Sequence, residues 1–203
     1  MDMNWIFYIL LGYLLGSLPF ALIIGKLFYK TDVREFGSGN LGGTNAGRVL
    51  GKKAGISVIV LDILKVVVAV AIVSYFNKEA SIWAGLAAAF GHCYPIFAGF
   101  RGGKAVATMF GILISTSIFT FQNPWYFFVP LIAFLILLVL TKMVSLSSMT
   151  AAVVSSIYIT YMQVNTSVEI VIASWLLTIL VVYRHRSNIK KIMNGTENKI
   201  SWL

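Results

Sequence analysis

The segment 37–48, GSGNLGGTNAGR, concentrates more polar chemistry than any other stretch of this apolar chain. It holds five glycines, two hydroxyl side chains, two amides and Arg48 within twelve residues. Glycines let backbone N–H groups approach a ligand closely, and successive N–H groups form a concavity that binds anions. The guanidinium of Arg48 adds a planar fork suited to phosphate. The segment is therefore interpreted either as an anion-binding loop or as a polar linker between two membrane spans.

A second polar cluster ends in Gly102-Gly103-Lys104, after the apolar run that contains His92. We expect a new helix to begin at about Lys104. A helix N-terminus presents free N–H groups and a partial positive charge, so it attracts anions. The helix dipole opposes a lysine at that position, which favours a ligand-binding role for Lys104 over a purely topological one.

Two further polar clusters lie in the C-terminal half of the chain. The segment 145–148, SLSS, is by itself typical of a helix N-cap. The run 184–191, RHRSNIKK, is typical of a basic helix that meets anionic headgroups. His185 stands between two arginines, which should oppose its protonation and leave a neutral ring that can both donate and accept hydrogen bonds.

Several familiar motifs fail in this chain. The segment 37–42 matches G-x-G-x-x-G, but a dinucleotide fold needs a preceding strand, and here an apolar span precedes it. The Walker A pattern fails because Gly43 stands where a lysine is required. With His92, His185 and a single cysteine, Cys93, the chain has neither a metal-ligand cluster nor an internal disulfide. We interpret His92 as a buried hydrogen-bonding residue.

The elements that must position these clusters are membrane spans. With 59% hydrophobic and 11% charged residues among 203, the composition is that of a membrane protein. We predict an all-α polytopic fold, with residues 1–203 forming one integral-membrane domain. A span needs about 20 apolar residues. The chain supplies seven candidates, of which the first should be kinked at Pro19 and the last three are short enough to be tilted, re-entrant or interfacial. They are Trp5–Gly25, Ala54–Phe76, Ala80–Phe97, Ala105–Phe121, Trp125–Thr141, Met149–Gln163 and Glu169–Tyr183.

Basic residues are distributed unequally between the two sets of loops. Fourteen lie in the segments 26–53, 99–104 and 142–148 and in the tail from 184, whereas Lys78 alone lies on the opposite side. By the positive-inside rule this places the N-terminus outside and the C-terminus in the cytoplasm. The net charge of +9 is then explained by topology and not by nucleic-acid binding. All four polar clusters fall on the predicted cytoplasmic face.

Asp62 and Lys65 are charged residues inside the second predicted span. Their i, i+3 spacing places them on one helix face. Charge inside a membrane is costly and is often functional. Here the two residues can neutralise each other and support nearby loops, so we interpret them as structural.

The residues therefore indicate a small polytopic protein with an anion-binding face on the cytoplasmic side. Its substrates should be anionic, and at least one should reach the site from the bilayer. A transporter or channel for an organic phosphate is the alternative, although it would require comparable polar chemistry on the outer side and internal repeats.

Three motifs resemble those of one known family. They are the segment 37–45, the block 91–108 that ends GGKAVAT, and RHRSNI at 184–189 with the later GTE at 195–197. They resemble the PlsY family, bacterial membrane acyltransferases that use acyl phosphate and glycerol 3-phosphate. The resemblance covers essentially the whole chain and preserves the order of the spans.

This resemblance implies a reaction and a location. An acyl group would pass from acyl phosphate to the 1-hydroxyl of glycerol 3-phosphate, giving lysophosphatidic acid and phosphate for phospholipid synthesis. The family requires no metal or other cofactor. The protein would be a multi-pass protein of the bacterial plasma membrane, and we expect a monomer.

Applied residue by residue, the resemblance assigns two groups of ligands. Acyl phosphate would be held by Ser38, Gly39, Asn40, Gly42, Thr44 and Asn45. Glycerol 3-phosphate would be held by Arg48, Lys104, His185 and Asn188, with help from Ser145 or Ser148. Among these, Ser38, Asn45, Arg48, Lys104, His185 and Asn188 are the expected catalytic residues. The base is either His185 or a phosphate oxygen of the substrate; the latter is favoured because no carboxylate accompanies the clusters.

Overall fold

The computed structural model describes residues 3–200, and every regular element in that range is helical. Ten α-helices follow one another along the chain. They are α1 (Met3–Gly16), α2 (Phe20–Tyr29), α3 (Gly43–Leu50), α4 (Lys52–Phe76), α5 (Lys78–Cys93), α6 (Val106–Ser115), α7 (Trp125–Thr141), α8 (Val144–Gln163), α9 (Val168–Arg184) and α10 (Arg186–Met193). Short 3₁₀ turns cover Val33–Glu35 and Ile96–Ala98, and a π-helical turn, Thr116–Thr120, continues α6.

The predicted kink in the first span is confirmed. Helix α1 ends at Gly16 and α2 begins at Phe20, with Pro19 at the break. Proline has no N–H to continue the helical hydrogen bonding, and it restricts the residue before it to extended conformations. The span is also longer than predicted, because α2 continues to Tyr29.

Three other details differ from the sequence-based predictions. The third span ends at Cys93 and not at Phe97, since Pro95 follows closely. The next helix begins at Val106, after a left-handed Ala105 with φ of 61°, so Lys104 lies before the helix. The supposed loop 26–53 contains the ordered helix α3.

The number of membrane crossings is only partly supported. By length and apolar composition, three stretches within residues 3–200 can cross a bilayer: Asn4–Tyr29, Lys52–Phe76 and Val144–Gln163. Helices α9 and α10 form a fourth if they are one span bent by 58°. Val106–Thr120 and Trp125–Thr141 are apolar but shorter. Seven spans and their orientation stay predictions.

Helix α4 lies at the centre of the N-terminal half, where it contacts α1, α3, α5 and α6. Helix α8 packs between α7 and α9, and α5 joins the two groups by contacting both α1 and α9. Large apolar side chains remain exposed around the bundle, as at Phe28, Tyr75 and Leu140. Such extensive apolar exposure is expected of a surface that lipid covers.

Helices α1 and α5 approach closely because small residues face each other. A Cβ atom added at Gly16 would overlap the backbone of Ala88, and one added at Gly12 would overlap the backbone of Ala84. In lipid, small residues promote helix association because backbones can come near enough for dispersion contacts. This contact sets the position of α5, which carries His92.

We predict that Gly16→Ala lowers the free energy of unfolding by about 1–3 kcal/mol, because the added methyl group forces α1 away from α5. Thermal unfolding in detergent measures the effect. Gly47→Ala is the matched control, since its added Cβ would lie 3.5 Å from the nearest atom, Gly55 Cα, in ordinary contact. Equal unfolding temperatures for the two variants would contradict the prediction.

Candidate active site

Asn45 organises the glycine-rich segment from within α3. Its side-chain Oδ1 accepts a hydrogen bond of 2.8 Å from the Ser38 amide. Its Nδ2 donates to the carbonyl oxygens of Val33 and Phe36, at 2.9 and 3.3 Å. Because the side chain is buried and all these groups are engaged, Asn45 holds the shape of the loop. A polar linker without structure is therefore the wrong interpretation of this segment.

Two glycines of the segment adopt conformations that favour glycine. Gly37 has φ of 62° and Gly39 has φ of 67°. These left-handed residues turn the chain so that the Ser38 amide meets Asn45. The segment then enters α3 through Gly42, and the first amides of that helix have no partner within it. The arrangement presents N–H groups suitable for an anion.

An ion pair fixes the start of the same segment. Arg34 Nη2 lies 2.6 Å from Asp32 Oδ2, and its Nη1 donates to the Ala98 carbonyl at 3.3 Å. The hydrogen bond from Arg34 holds the pKa of the Asp32 carboxyl well below its usual range. The pair therefore stays charged at neutral pH and ties the first polar cluster to the second.

The Gly102-Gly103 segment is held from two sides. The Gly103 amide donates to the His92 carbonyl at 2.9 Å. From the other side, the guanidinium of Arg184 donates to the carbonyl oxygens of Gly103 and Gly102, at 3.0 and 3.1 Å. Asn40 adds a longer bond of 3.4 Å to the Gly102 carbonyl. Two motifs thus converge on one short segment of backbone.

A chain of polar side chains connects the remaining clusters. Lys104 Nζ donates to Asn188 Oδ1. Asn188 Nδ2 donates to Glu197 Oε1 at 2.8 Å, and Ser145 Oγ donates to the same oxygen at 2.6 Å. The tail that carries Glu197 is itself anchored by a backbone bond from Ile200 to Lys142. The four clusters therefore meet at one end of the bundle, as the sequence predicted.

Glu197 corrects the expectation that no carboxylate accompanies the clusters. Its Oε2 atom is buried without a hydrogen-bond partner among the described residues. The residue lies in the GTE segment that carried part of the resemblance, which was the available signal. The sequence did not show that the tail folds back onto α8.

The serines of the third cluster are not helix caps. Helix α8 begins at Val144 after Met143, whose side chain makes no capping bond, so the start predicted at Met149 is wrong. Ser148 Oγ donates to the Val144 carbonyl at 2.6 Å, within its own helix. Of the two candidate ligands, Ser145 is therefore the one that joins the polar network.

His185 is buried at the junction of α9 and α10. Its Nδ1 lies 2.8 Å from the Val181 carbonyl, which can only accept, so Nδ1 carries the proton and Nε2 has a free lone pair. Burial lowers the pKa of His185 to about 4, and the charges of Lys104 and Arg184 contribute. The predicted resistance to protonation is confirmed, although burial and not the arginines is its main cause.

Lys104 lies in an electropositive environment. Burial lowers its pKa, the Glu197 carboxylate opposes that shift, and the charges of Lys191, Arg184 and Arg48 add to it. The side chains of Ser38, Thr44 and Arg48 are exposed, while Gly39, Asn40 and Gly42 are partly exposed. The site thus concentrates positive charge and N–H donors. Its one carboxylate, Glu197, is hydrogen-bonded to Asn188 and Ser145.

Asp62 and Lys65 form the predicted buried ion pair, with 2.7 Å between Asp62 Oδ1 and Lys65 Nζ. His92, predicted to be a buried hydrogen-bonding residue, lies beside them, with its Nδ1 at 3.1 Å from Lys65 Nζ. Within residues 3–200, no cluster of three or more histidine, cysteine or acidic side chains is placed to hold a metal ion.

An apolar groove of about 810 Å³ runs between α1, α5 and α9. Tyr94 and Tyr183 line one part of it, next to the polar site. The guanidinium carbon of Arg184 lies 5.0 Å from the centre of the Tyr94 ring. Arg184 therefore stands where the groove meets the Gly102-Gly103 segment.

The helical bundle, its lipid-like exterior and this cluster of cations define an integral membrane protein with a site for anions. The sequence profile of the family described as glycerol-3-phosphate acyltransferase matches residues 6–195. The chain is 46% identical to a glycerol-3-phosphate acyltransferase of Geobacillus kaustophilus, covering 96% of this chain and 95% of that protein. It is 49% identical to glycerol-3-phosphate acyltransferase 3 of Bacillus anthracis, covering 95% and 93%.

Solved structures agree with the sequence comparisons. The fold is similar to that of PlsY, an integral membrane glycerol 3-phosphate acyltransferase, in its glycerol 3-phosphate form. The TM-score is 0.88 at 34% identity, covering 98% of this chain and 96% of that one. The lysophosphatidic acid form of PlsY matches with a TM-score of 0.85. The chain belongs to the glycerol-3-phosphate acyltransferase family, PlsY type.

We predict that Glu197→Gln lowers the pKa of Lys104 further, because it removes the carboxylate that opposes the shift caused by burial. The Lys104 ammonium would then lose its proton at a lower pH than in the unchanged protein. The pH dependence of Lys104 labelling by an amine-reactive reagent, followed by mass spectrometry, measures this shift. Ser145→Ala is the control, since it removes one hydrogen bond to Glu197 and keeps the charge. An unchanged or raised labelling midpoint in Glu197→Gln would contradict the electrostatic account.

Proposed function

We propose that this protein transfers an acyl group from acyl phosphate to the 1-hydroxyl of glycerol 3-phosphate. The products are lysophosphatidic acid and inorganic phosphate. The observation that carries the proposal is the meeting of all four polar clusters around Lys104, next to an apolar groove. Each substrate carries a phosphate, and one carries an acyl chain. The site offers two groups of side chains that can bind anions, and the apolar groove can take the acyl chain.

The glycine-rich segment is the proposed site of acyl phosphate. Ser38 and Thr44 are exposed, and the first amides of α3 have no partner within the helix. Gly39, Asn40 and Gly42 contribute backbone or amide donors in the same turn. Asn45, proposed from the sequence as a ligand, acts from beneath by holding the Ser38 amide in place.

Glycerol 3-phosphate is assigned to the neighbouring cationic groups. Lys104 and Arg48 neutralise its phosphate, while Asn188 and Ser145 are held by Glu197. Asn188 uses its oxygen on Lys104 and its nitrogen on Glu197, so it fixes the position of the ammonium. The neutral His185 offers Nε2 as a hydrogen-bond acceptor for a substrate hydroxyl.

The chemical step needs positioning more than activation. The 1-hydroxyl oxygen attacks the acyl carbonyl carbon, the carbon–oxygen bond to phosphate breaks, and phosphate leaves with the hydroxyl proton. Acyl phosphate is already an activated anhydride, so orientation and charge stabilisation are the main contributions of the protein. A phosphate oxygen is the proposed base, since a histidine with a pKa of about 4 is the weaker proton acceptor.

The groove between α1, α5 and α9 is the proposed site of the acyl chain. Its lining is apolar, and Tyr94 and Arg184 stand where it meets the polar site. A chain entering sideways from the bilayer would place its phosphate at the clustered cations. We further propose one domain, working as a monomer in the bacterial plasma membrane with this face in the cytoplasm. The distribution of basic residues supports that orientation.

The test is formation of product by purified protein in detergent, from acyl phosphate and labelled glycerol 3-phosphate. We expect labelled lysophosphatidic acid from the wild type. Lys104→Ala should lower kcat/KM by about 10²-fold or more, because a preorganised charge is lost from the phosphate site. Lys53→Ala, which removes an exposed lysine from the first turn of α4, should change it by less than about twofold. Absence of product from folded wild-type protein would refute the proposed function.

Arg48→Ala tests the division of the site between the two substrates. We expect the KM for glycerol 3-phosphate to rise about tenfold or more, as expected on loss of a charge-assisted contact, with a smaller change in the KM for acyl phosphate. Steady-state kinetics with each substrate varied in turn supplies both constants. Arg101→Ala, which removes another exposed arginine, is the control. Equal increases in both constants would show that Arg48 is not specific to glycerol 3-phosphate.

A further inference from the structure

Three charged or polar side chains lie almost completely buried between α4 and α5, outside the proposed ligand groups. Asp62 is 1% exposed, and Lys65 and His92 are each 5% exposed. None of them has a role in the reaction proposed above. A buried ion pair is weak evidence for stability, because its desolvation offsets much of the attraction between the charges.

Lys65 has three partners. Its ammonium donates to the Leu18 carbonyl at 2.8 Å, lies 3.1 Å from His92 Nδ1, and forms an ion pair of 2.7 Å with Asp62 Oδ1, which accepts no hydrogen bond from a described residue. An ammonium only donates, so His92 Nδ1 must accept and the proton of the neutral ring lies on Nε2. His92 Nδ1 and Asp62 Oδ1 are 3.4 Å apart because both turn towards the same ammonium. The orientation of the His92 ring is thereby set by Lys65.

The opposite edge of that ring lies against the polar site. A Cβ atom added at Gly103 would overlap His92 Nε2 and its neighbouring carbon atoms. The His92 carbonyl also accepts the Gly103 amide at 2.9 Å. Gly103 therefore rests directly on His92, while Arg184 holds the Gly103 carbonyl from the other side.

The residue after Gly103 is Lys104, whose ammonium reaches Asn188. A shift of the His92 ring would move Gly103, and with it the start of the Lys104 side chain. Lys65 also holds Leu18 at the break between α1 and α2. The Lys65 ammonium thus contacts both Leu18, at the break in the first span, and His92, on which Gly103 rests.

We propose that Asp62, Lys65 and His92 are positioning residues for the binding of glycerol 3-phosphate. They fix the Gly102-Gly103 backbone so that Lys104 meets the phosphate of that substrate. This inference rests on the proposed function, which assigns Lys104 to glycerol 3-phosphate. The effect should fall mainly on this substrate, because the glycine-rich segment that would take acyl phosphate is held by Asn45 and reaches Gly102 through one longer bond of 3.4 Å from Asn40.

The first experiment compares two substitutions of His92 in the full-length protein. His92→Leu removes the acceptor for Lys65, whereas His92→Asn keeps an oxygen able to accept near the position of Nδ1. We expect His92→Leu to raise the KM for glycerol 3-phosphate about tenfold, the effect of one misplaced charge-assisted contact. The KM for acyl phosphate should change by less than about twofold. His92→Asn keeps the acceptor for Lys65 but lacks the ring edge against Gly103, so it should recover only part of the loss.

Ser156→Ala is the matched structural control. It removes buried hydrogen bonds from Ser156 to Ser174 and Thr178, between α8 and α9. We expect a lower unfolding temperature with both KM values unchanged. If His92→Leu behaves like this control, or lowers kcat and affects both KM values alike, the cluster is only structural and the inference is overturned.

A second experiment uses the contact between Gly103 and His92 and does not depend on His92→Leu folding. Gly103→Ala should weaken the binding of glycerol 3-phosphate, because the added methyl group overlaps the His92 ring. Combining it with His92→Ser, which removes the ring, should recover part of that loss. Additive effects of the two substitutions would overturn the inference, since independent sites add.

Direct binding separates this inference from the proposed function. Isothermal titration calorimetry with glycerol 3-phosphate alone measures its Kd in each variant without any acyl donor. Wild-type protein that binds glycerol 3-phosphate but forms no product would refute the proposed function and leave the positioning test intact. Equal Kd values in wild type and His92→Leu would refute the positioning role whatever the catalytic result.

Discussion

The polar face of this protein depends on the confinement of two glycines. Gly102 and Gly103 lie between the His92 backbone and ring on one side and the Arg184 guanidinium on the other. No side chain fits at Gly103 without displacing that ring. The contacts with Arg184 join this segment to a residue 81 and 82 positions away, so distant parts of the chain meet here. Lys104 is the next residue in the chain, so the confinement of Gly103 fixes where the Lys104 side chain begins.

Around this point the charges are arranged so that each buried group has an opposite charge or a donor. Asp62 neutralises Lys65 inside the bundle, Asp32 pairs with Arg34 at its edge, and Glu197 lies beneath Lys104. Where the site opens, the positive charges of Lys104 and Arg48 exceed the negative charge of Glu197, and an anionic ligand would complete the balance. The low-dielectric surroundings strengthen such interactions and make an unfilled site electrostatically unfavourable. The apolar groove beside Arg184 extends the same site towards lipid.

Several roles expected from the sequence and its family resemblance changed when the contacts were known. Asn45 resembles a ligand in the sequence, but its buried amide is occupied by the loop backbone. Ser145 and Ser148 are equivalent in a motif, yet only Ser145 faces Glu197, because Ser148 bonds within α8. Arg184 appears in the sequence as one more basic residue near a membrane surface. In the fold its planar fork holds the carbonyl oxygens of Gly102 and Gly103 at the same time.

The sequence by itself determined the helical membrane class, the break at Pro19, the convergence of four polar clusters and the buried pair of Asp62 and Lys65. The helical class, the break and the buried pair follow from composition, from the missing N–H of proline and from spacing along one helix. The convergence was predicted from the distribution of basic residues among the loops. Only the tertiary structure decided that α3 is ordered, that α6 begins after Lys104 and that Glu197 returns to Ser145. Those features depend on contacts between segments separated by up to 84 residues, as between Lys104 and Asn188. Local spacing carries no information about which distant backbone groups a side chain will meet.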